Sequence, residues 1–108
     1  MGELTGSWVA ARYGMEPRLI EAMRREGELL ALWRDGEYHY PSWQFTPDGP
    51  LPAMRDVVTE ARRRGMDGER LCRLLDERAG LTGDRRLRDA LREGRVEPVL
   101  AAIRSGST

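Results

Sequence analysis

Lysine is absent from this sequence, so all 18 of its basic residues are arginine. The bias most simply reflects arginine-rich codon usage, but it supplies planar donor forks suited to carboxylates and phosphates. Cysteine and histidine occur once each, which excludes an intramolecular disulfide and a Cys/His zinc site. No apolar run approaches the roughly 18 residues of a membrane span, and the N-terminus has no signal-peptide core. These absences lead to the expectation of a cytoplasmic protein with no membrane partner. Charge of one sign is missing too, because 18 acids balance the 18 arginines. A strong non-specific nucleic-acid binder needs a large basic excess, and this chain has none. Gly-rich phosphate loops, nucleophile elbows and carboxylate-rich metal motifs are also lacking. His39 has no acid or hydroxyl at the spacing a general base requires. The expectation is a protein with no catalytic residues, no cofactor and no metal, hence not an enzyme.

What remains is a chain of 108 residues, 40% hydrophobic and 33% charged. That composition is globular, and the length suits one compact domain or two very small ones. A helical segment from Ser7 ends at Gly14, and Met15-Glu16-Pro17 opens a second helix with proline in its favoured first turn. Leu19, Ile20 and Met23 are expected to line one face of that helix, with Arg18, Glu21, Arg24 and Arg25 pointing elsewhere. Two helices joined by a short Gly-containing turn are the helix-turn-helix pattern, which also fits any helical hairpin. Asp35-Gly36 then separates two apolar or aromatic runs, a strong hairpin signal. Residues 29–34 are expected to pair with residues 37–40, with helices throughout the rest. A hairpin directly after a helix-turn-helix is a wing. Trp8, Trp33 and Trp43 are expected to fill the core of so small a module.

Thr46-Pro-Asp-Gly-Pro50 reads as a turn-rich linker. It divides residues 1–46, a winged helix-turn-helix module, from residues 47–108, a helical module. In the second, Leu51, Met54, Val57, Val58 and Ala61 recur at helical spacing after Pro52 and up to Gly65, and Asp67 is an N-cap for a helix carrying Leu71, Leu74, Leu75 and Ala79. A third helix carries Leu87, Ala90 and Leu91 and ends before Gly94, and a fourth enters through Pro98 and buries Val99, Leu100 and Ile103. Short helices on short linkers imply a small bundle. The fold class is therefore mainly α, a small winged helix-turn-helix with one β-hairpin followed by a small helical bundle. Cys72, beside Leu71, reads as a small apolar core residue.

Residues 6–45, including Gly27-Glu-Leu-Leu-Ala-Leu and Tyr40-Pro-Ser-Trp-Gln-Phe45, resemble the excisionase/MerR-like winged helix-turn-helix. Residues 50–104 resemble the toxin-binding domain of Xre/MbcA/ParS-type antitoxins, through Leu81-Thr-Gly-Asp-Arg-Arg-Leu-Arg-Asp-Ala-Leu-Arg-Glu-Gly94 and Val99-Leu-Ala-Ala-Ile103. A similar two-module layout occurs in mycobacterial winged-helix DNA-binding regulators. The sequence departs from these patterns at Glu16-Pro17, where a Ser or Thr usually opens the recognition helix, at Leu74-Leu75 and at Arg86-Leu87.

The resemblance implies a bacterial antitoxin-like regulator, a homodimer that binds operator DNA and neutralises a cognate toxin, of the NAD-consuming RES-domain type. DNA contacts would come from Arg12, Arg18, Arg24, Arg25 and Arg34; the plain alternative is a solvated helix face neutralised by Glu16, Glu21 and Glu26. Toxin contacts would come from Arg85, Arg86, Arg88, Leu91, Val96, Val99, Leu100 and Ile103. Val99, Leu100, Ala102 and Ile103 span adjacent sides of a short helix, so one side is expected to pack on Leu87 and Leu91 and the other to offer an apolar patch. The alternative is a helix enclosed by the bundle or by a dimer seam. Arg62, Arg63 and Arg64 read as cations near a helix C-terminus. Two other functions fit the same residues: a stand-alone winged-helix transcriptional regulator, or an adaptor with a degenerate helix-turn-helix.

Overall fold

The computed structural model describes residues 2–77 and 85–106. The expected Ala79 and the Leu81-Thr-Gly83 stretch lie outside the described residues. The chain opens with strand β1 (Glu3–Thr5), followed by helices α1 (Gly6–Tyr13) and α2 (Pro17–Arg25). Gly14, at φ 63°, ends α1 in the left-handed conformation that glycine adopts without strain. Pro17 occupies the first turn of α2 as its sequence position dictates. The hairpin of β2 (Leu32–Arg34) and β3 (Glu37–Pro41) pairs Leu32 with His39, Trp33 with Tyr38 and Arg34 with Glu37. Asp35 and Gly36 both have positive φ, 49° and 86°, the geometry of a two-residue hairpin turn.

Two strand pairs go beyond the single hairpin that the sequence led us to expect. β1 adds to the free edge of β3, giving the order β1-β3-β2. A single 3-10 turn (Ser42–Gln44) then leads into β4 (Phe45–Thr46) and β5 (Gly49–Pro50), a miniature hairpin inside the expected linker. Strands of two or three residues are too short for alternation to register in a sequence. Conversely, residues 29–31 are not strand, because the backbone of Leu30 is taken by a side chain. Gln44, fully buried, accepts from Leu30 N–H at 2.9 Å and donates to Leu30 C=O at 2.8 Å and to Pro41 C=O at 3.1 Å.

The C-terminal helices are α3 (Met54–Arg63), α4 (Gly68–Leu75), α5 (Leu87–Arg92) and α6 (Glu97–Gly106). Asp67 caps α4 by accepting from Arg70 N–H at 2.9 Å, as its position predicts. α6 packs on α3, α4 and α5 and is the centre of the bundle. Val99, Leu100 and Ile103 are consumed there together with Leu71, Leu75, Leu87 and Leu91. The expected uncovered patch on this helix is thus a correction: three neighbouring helices, not one, receive its apolar sides. Ala102 and Val96 are half-buried against the same core.

Two clusters of buried side chains result. Val9, Ala10, Ile20, Leu29 and Tyr40 form the smaller one, in the winged half, and Met54, Val57, Val58 and Ala61 begin the larger one, in the helical half. Leu29 belongs to the first and its neighbour Leu30 to the second. Adjacent in sequence but buried in different cores, these two leucines stitch the halves together.

Candidate nucleic-acid interface

α2 presents Ile20 and Met23 to the winged core, and the opposite face carries Arg18 and Arg25, both exposed, with the half-buried Ala22 between them at i, i+4, i+7 spacing. Leu19 is 46% exposed, a correction to its expected place on the inner face. Arg18 meets Glu16 at 2.5 Å and Arg25 meets Glu21 at 3.8 Å, both pairs in open solvent. Such pairs are screened and hold their side chains weakly, so both guanidiniums are free to exchange a carboxylate for another anion.

Arg24 is not part of that face. Helical phase turns it inward, where its guanidinium lies 3.9 Å over the Tyr38 ring and its Nε is buried. Tyr38 in turn meets Trp33 edge-on, with centroids 4.8 Å apart and planes at 74°. Arg24 therefore braces the wing against α2. Burial pushes the Tyr40 phenol above its ordinary range, and the neighbouring Arg24 charge partly opposes that shift. Arg34, expected as a free wing cation, instead bridges Glu69 of α4 and Glu3 of β1, the latter at 3.3 Å. These two carboxylates raise its pKa. His39, from the same sheet, lies 3.9 Å from Glu3 and 4.0 Å from Glu37.

Arg12, the fifth expected contact, projects from α1 over Trp8 and Tyr13, at 5.9 and 5.7 Å to the ring centroids. It lines a cleft shared with α4 and α5. The structure thus brings together two of the five expected arginines, Arg18 and Arg25, and gives the other three separate surroundings.

Two side chains of this region escaped the sequence reading. Trp33, 59% exposed, walls a groove between the wing and α2 whose other side is Pro17, Ile20 and Glu21. Trp8 is 48% exposed, and only Trp43 packs against a core as expected of all three indoles. The signal that could have flagged Trp33 is its position beside the Asp35-Gly36 turn, where a two-residue hairpin tip has little to bury against. Arg62 is the other. Its two terminal nitrogens donate to Arg25 C=O and Arg24 C=O, each at 2.7 Å, so a helix of the bundle caps the C-terminus of α2.

Of the expected toxin contacts, Arg85 pairs with Glu93, Arg88 with Asp76 at 2.9 Å, and Arg86 donates to Asp76 C=O at 3.2 Å. The contacts of Arg86 and Arg88 with Asp76 tie α5 to the end of α4. Leu91, Val99, Leu100 and Ile103 are core, with Val96 at its edge. Cys72 is half-buried at the α4 surface, and burial raises its thiol pKa. Among the described residues no cluster of three or more His, Cys, Asp or Glu side chains could hold a metal. No helix among them is long and apolar enough to cross a membrane.

The fold these elements define is a winged helix-turn-helix joined to a small helical bundle. The solved NMR structure of Rv2175c is similar to this chain, with a TM-score of 0.81 and 20% sequence identity, covering 98% of this chain and 81% of that one. No protein-family profile and no curated protein matches the sequence.

Proposed function

We propose that this chain is a winged-helix transcriptional regulator that reads DNA with the outer face of α2. Residues 1–46 form the reading half. Residues 47–108 support it and join two chains into a homodimer. The observation that carries this reading is the pairing of Arg18 and Arg25 on an otherwise unobstructed helix face, on a scaffold that spends Arg24, Arg34 and Arg62 on holding that helix and its wing in place. A helix of nine residues is about 14 Å long, sufficient to enter a major groove, where Arg is the commonest reader of guanine.

Magnitude argues for the dimer. Two phosphate contacts from one neutral chain give a salt slope of only about −2, too little for tight binding by a monomer. Two chains on half-sites about one helical turn apart double it. Stand-alone regulation is favoured over neutralisation of a toxin, including a RES-domain toxin, because the apolar residues that a toxin would cover on α6 are used in the bundle's own interior.

Selection from a random-sequence duplex pool with the full chain tests the reading. The expected product is an enriched inverted repeat, and the Arg18→Ala/Arg25→Ala double variant enriches nothing. A repeat still enriched by the double variant would remove α2 from the interface. Failure of the unsubstituted chain to enrich any sequence at low salt would favour the adaptor instead.

A further inference from the structure

A cleft of about 560 Å³ separates the outer face of α1 from α4 and α5, within the size range of small-molecule sites. It shares no lining residue with the groove between α2 and the wing, so it is a different surface from the one that would meet DNA. Trp8 and Arg12, one turn apart on α1, line it together with Trp43 and Phe45 and with Arg88 and Arg92 of α5.

The charges in the cleft are not balanced locally. Its three carboxylates are all engaged: Glu3 by Arg34 at 3.3 Å, Asp76 by Arg88 at 2.9 Å, and Asp89 by the Arg86 N–H at 2.8 Å. Arg12 and Arg92 have no carboxylate partner among the described residues. Two guanidiniums without a carboxylate, Arg12 held only by its contacts with the Trp8 and Tyr13 rings, make an anion-attracting lining beside a half-exposed indole. An exposed tryptophan costs apolar contact with water that a flat ligand would relieve.

We propose that this cleft binds an aromatic phosphomonoester of mononucleotide size, its ring stacked on Trp8 and its phosphate held between Arg12 and Arg92. A monophosphate carries about −1.5 to −2 charges at neutral pH, which matches two arginines. Because the walls come from both halves of the chain, such a ligand ties α1 to α5 and stabilises the folded state by mass action.

The test uses the full chain and AMP as probe, with inorganic phosphate and adenosine as partial probes, read by tryptophan fluorescence. AMP is expected to quench saturably and to bind more tightly than either fragment. Trp8→Phe should remove most of the signal. Arg12→Ala and Arg92→Ala should each weaken AMP at least about tenfold, the loss typical of a charge-assisted contact. Both arginines are exposed, so the fold survives their removal, and circular dichroism checks it. Arg18→Ala should leave AMP binding unchanged, and Arg92→Ala should leave duplex binding unchanged. Non-saturating quenching up to about 10 mM AMP, or AMP affinity in either arginine variant equal to that of the unsubstituted chain, overturns the proposal. So does loss of duplex binding in Arg92→Ala, which would make the cleft part of the DNA surface.

Discussion

Gln44 does what a missing strand would otherwise do. Its amide supplies both partners for the backbone of Leu30, at 2.9 and 2.8 Å, and one for Pro41 C=O at 3.1 Å, all buried. Replacing it with Leu keeps the volume but strands three backbone groups in the seam between the two cores. Each such loss costs about 1–3 kcal/mol, so Gln44→Leu is expected to destabilise the fold by about 3 kcal/mol or more in urea unfolding. Nothing in the residue pattern marks this glutamine as buried. The Tyr40-Pro-Ser-Trp-Gln-Phe45 stretch was legible as a motif, and its reason becomes visible only when Leu30 is brought beside it. Glu60 is a second residue of this kind. Its carboxylate, 13% exposed, receives Arg64 at 2.7 Å and lies near Arg63 and Arg104. The Arg64 hydrogen bond, aided by those charges and opposed by partial burial, holds its pKa below the ordinary value of 4.5. A carboxylate with a lowered folded-state pKa stabilises the fold fully above that ordinary value and loses the contribution as pH falls through the folded value. The gap in urea midpoint between the unsubstituted chain and Glu60→Gln is therefore expected to be constant near neutrality and to close below pH 4.5.

At the scale of elements, the helices and the wing hairpin were legible, because glycine stops at Gly14 and Gly65, the Asp67 cap and the Asp35-Gly36 turn are local signals. β1, β4 and β5 were not, since each exists only by pairing with a partner already in place. The candidate site was half legible for the same reason. Composition identifies arginines on α2, but only helical phase separates outward Arg18 and Arg25 from inward Arg24, and only tertiary contact diverts Arg34 to Glu69. α4 supplies the sharpest test of the contact between elements. Its first residue, Gly68, lies so close to the chain before β2 that an added Cβ would meet Ala31 O at 2.3 Å. Helix propensity alone would make Gly68→Ala stabilising by up to about 1 kcal/mol. Backbone cannot yield as a flexible side chain does, so the clash decides the sign, and thermal unfolding is expected to show a loss of about 1–3 kcal/mol. A raised melting temperature would mean that α4 is not seated against residues 29–31.

For the whole molecule, zero net charge and a single outward pair of arginines on α2 mean that the proposed DNA reading would depend on few contacts and on the rigidity behind them. The helical half contributes to that rigidity directly, through Arg62 on the last carbonyls of α2 and through the Glu69–Arg34 bridge to the wing. The halves are therefore mechanically one, although their cores are separate. The measurement that bears most directly on this account is the salt dependence of affinity for the selected duplex, compared between the unsubstituted chain and Arg18→Ala by fluorescence anisotropy. If Arg18 meets the DNA backbone, its removal lowers the magnitude of the log–log slope by about 0.9 for each chain bound. If it reads a base as well, it also weakens the selected duplex more than a scrambled one. An unchanged slope and unchanged affinity in Arg18→Ala would contradict the assignment of α2 as the DNA-reading helix.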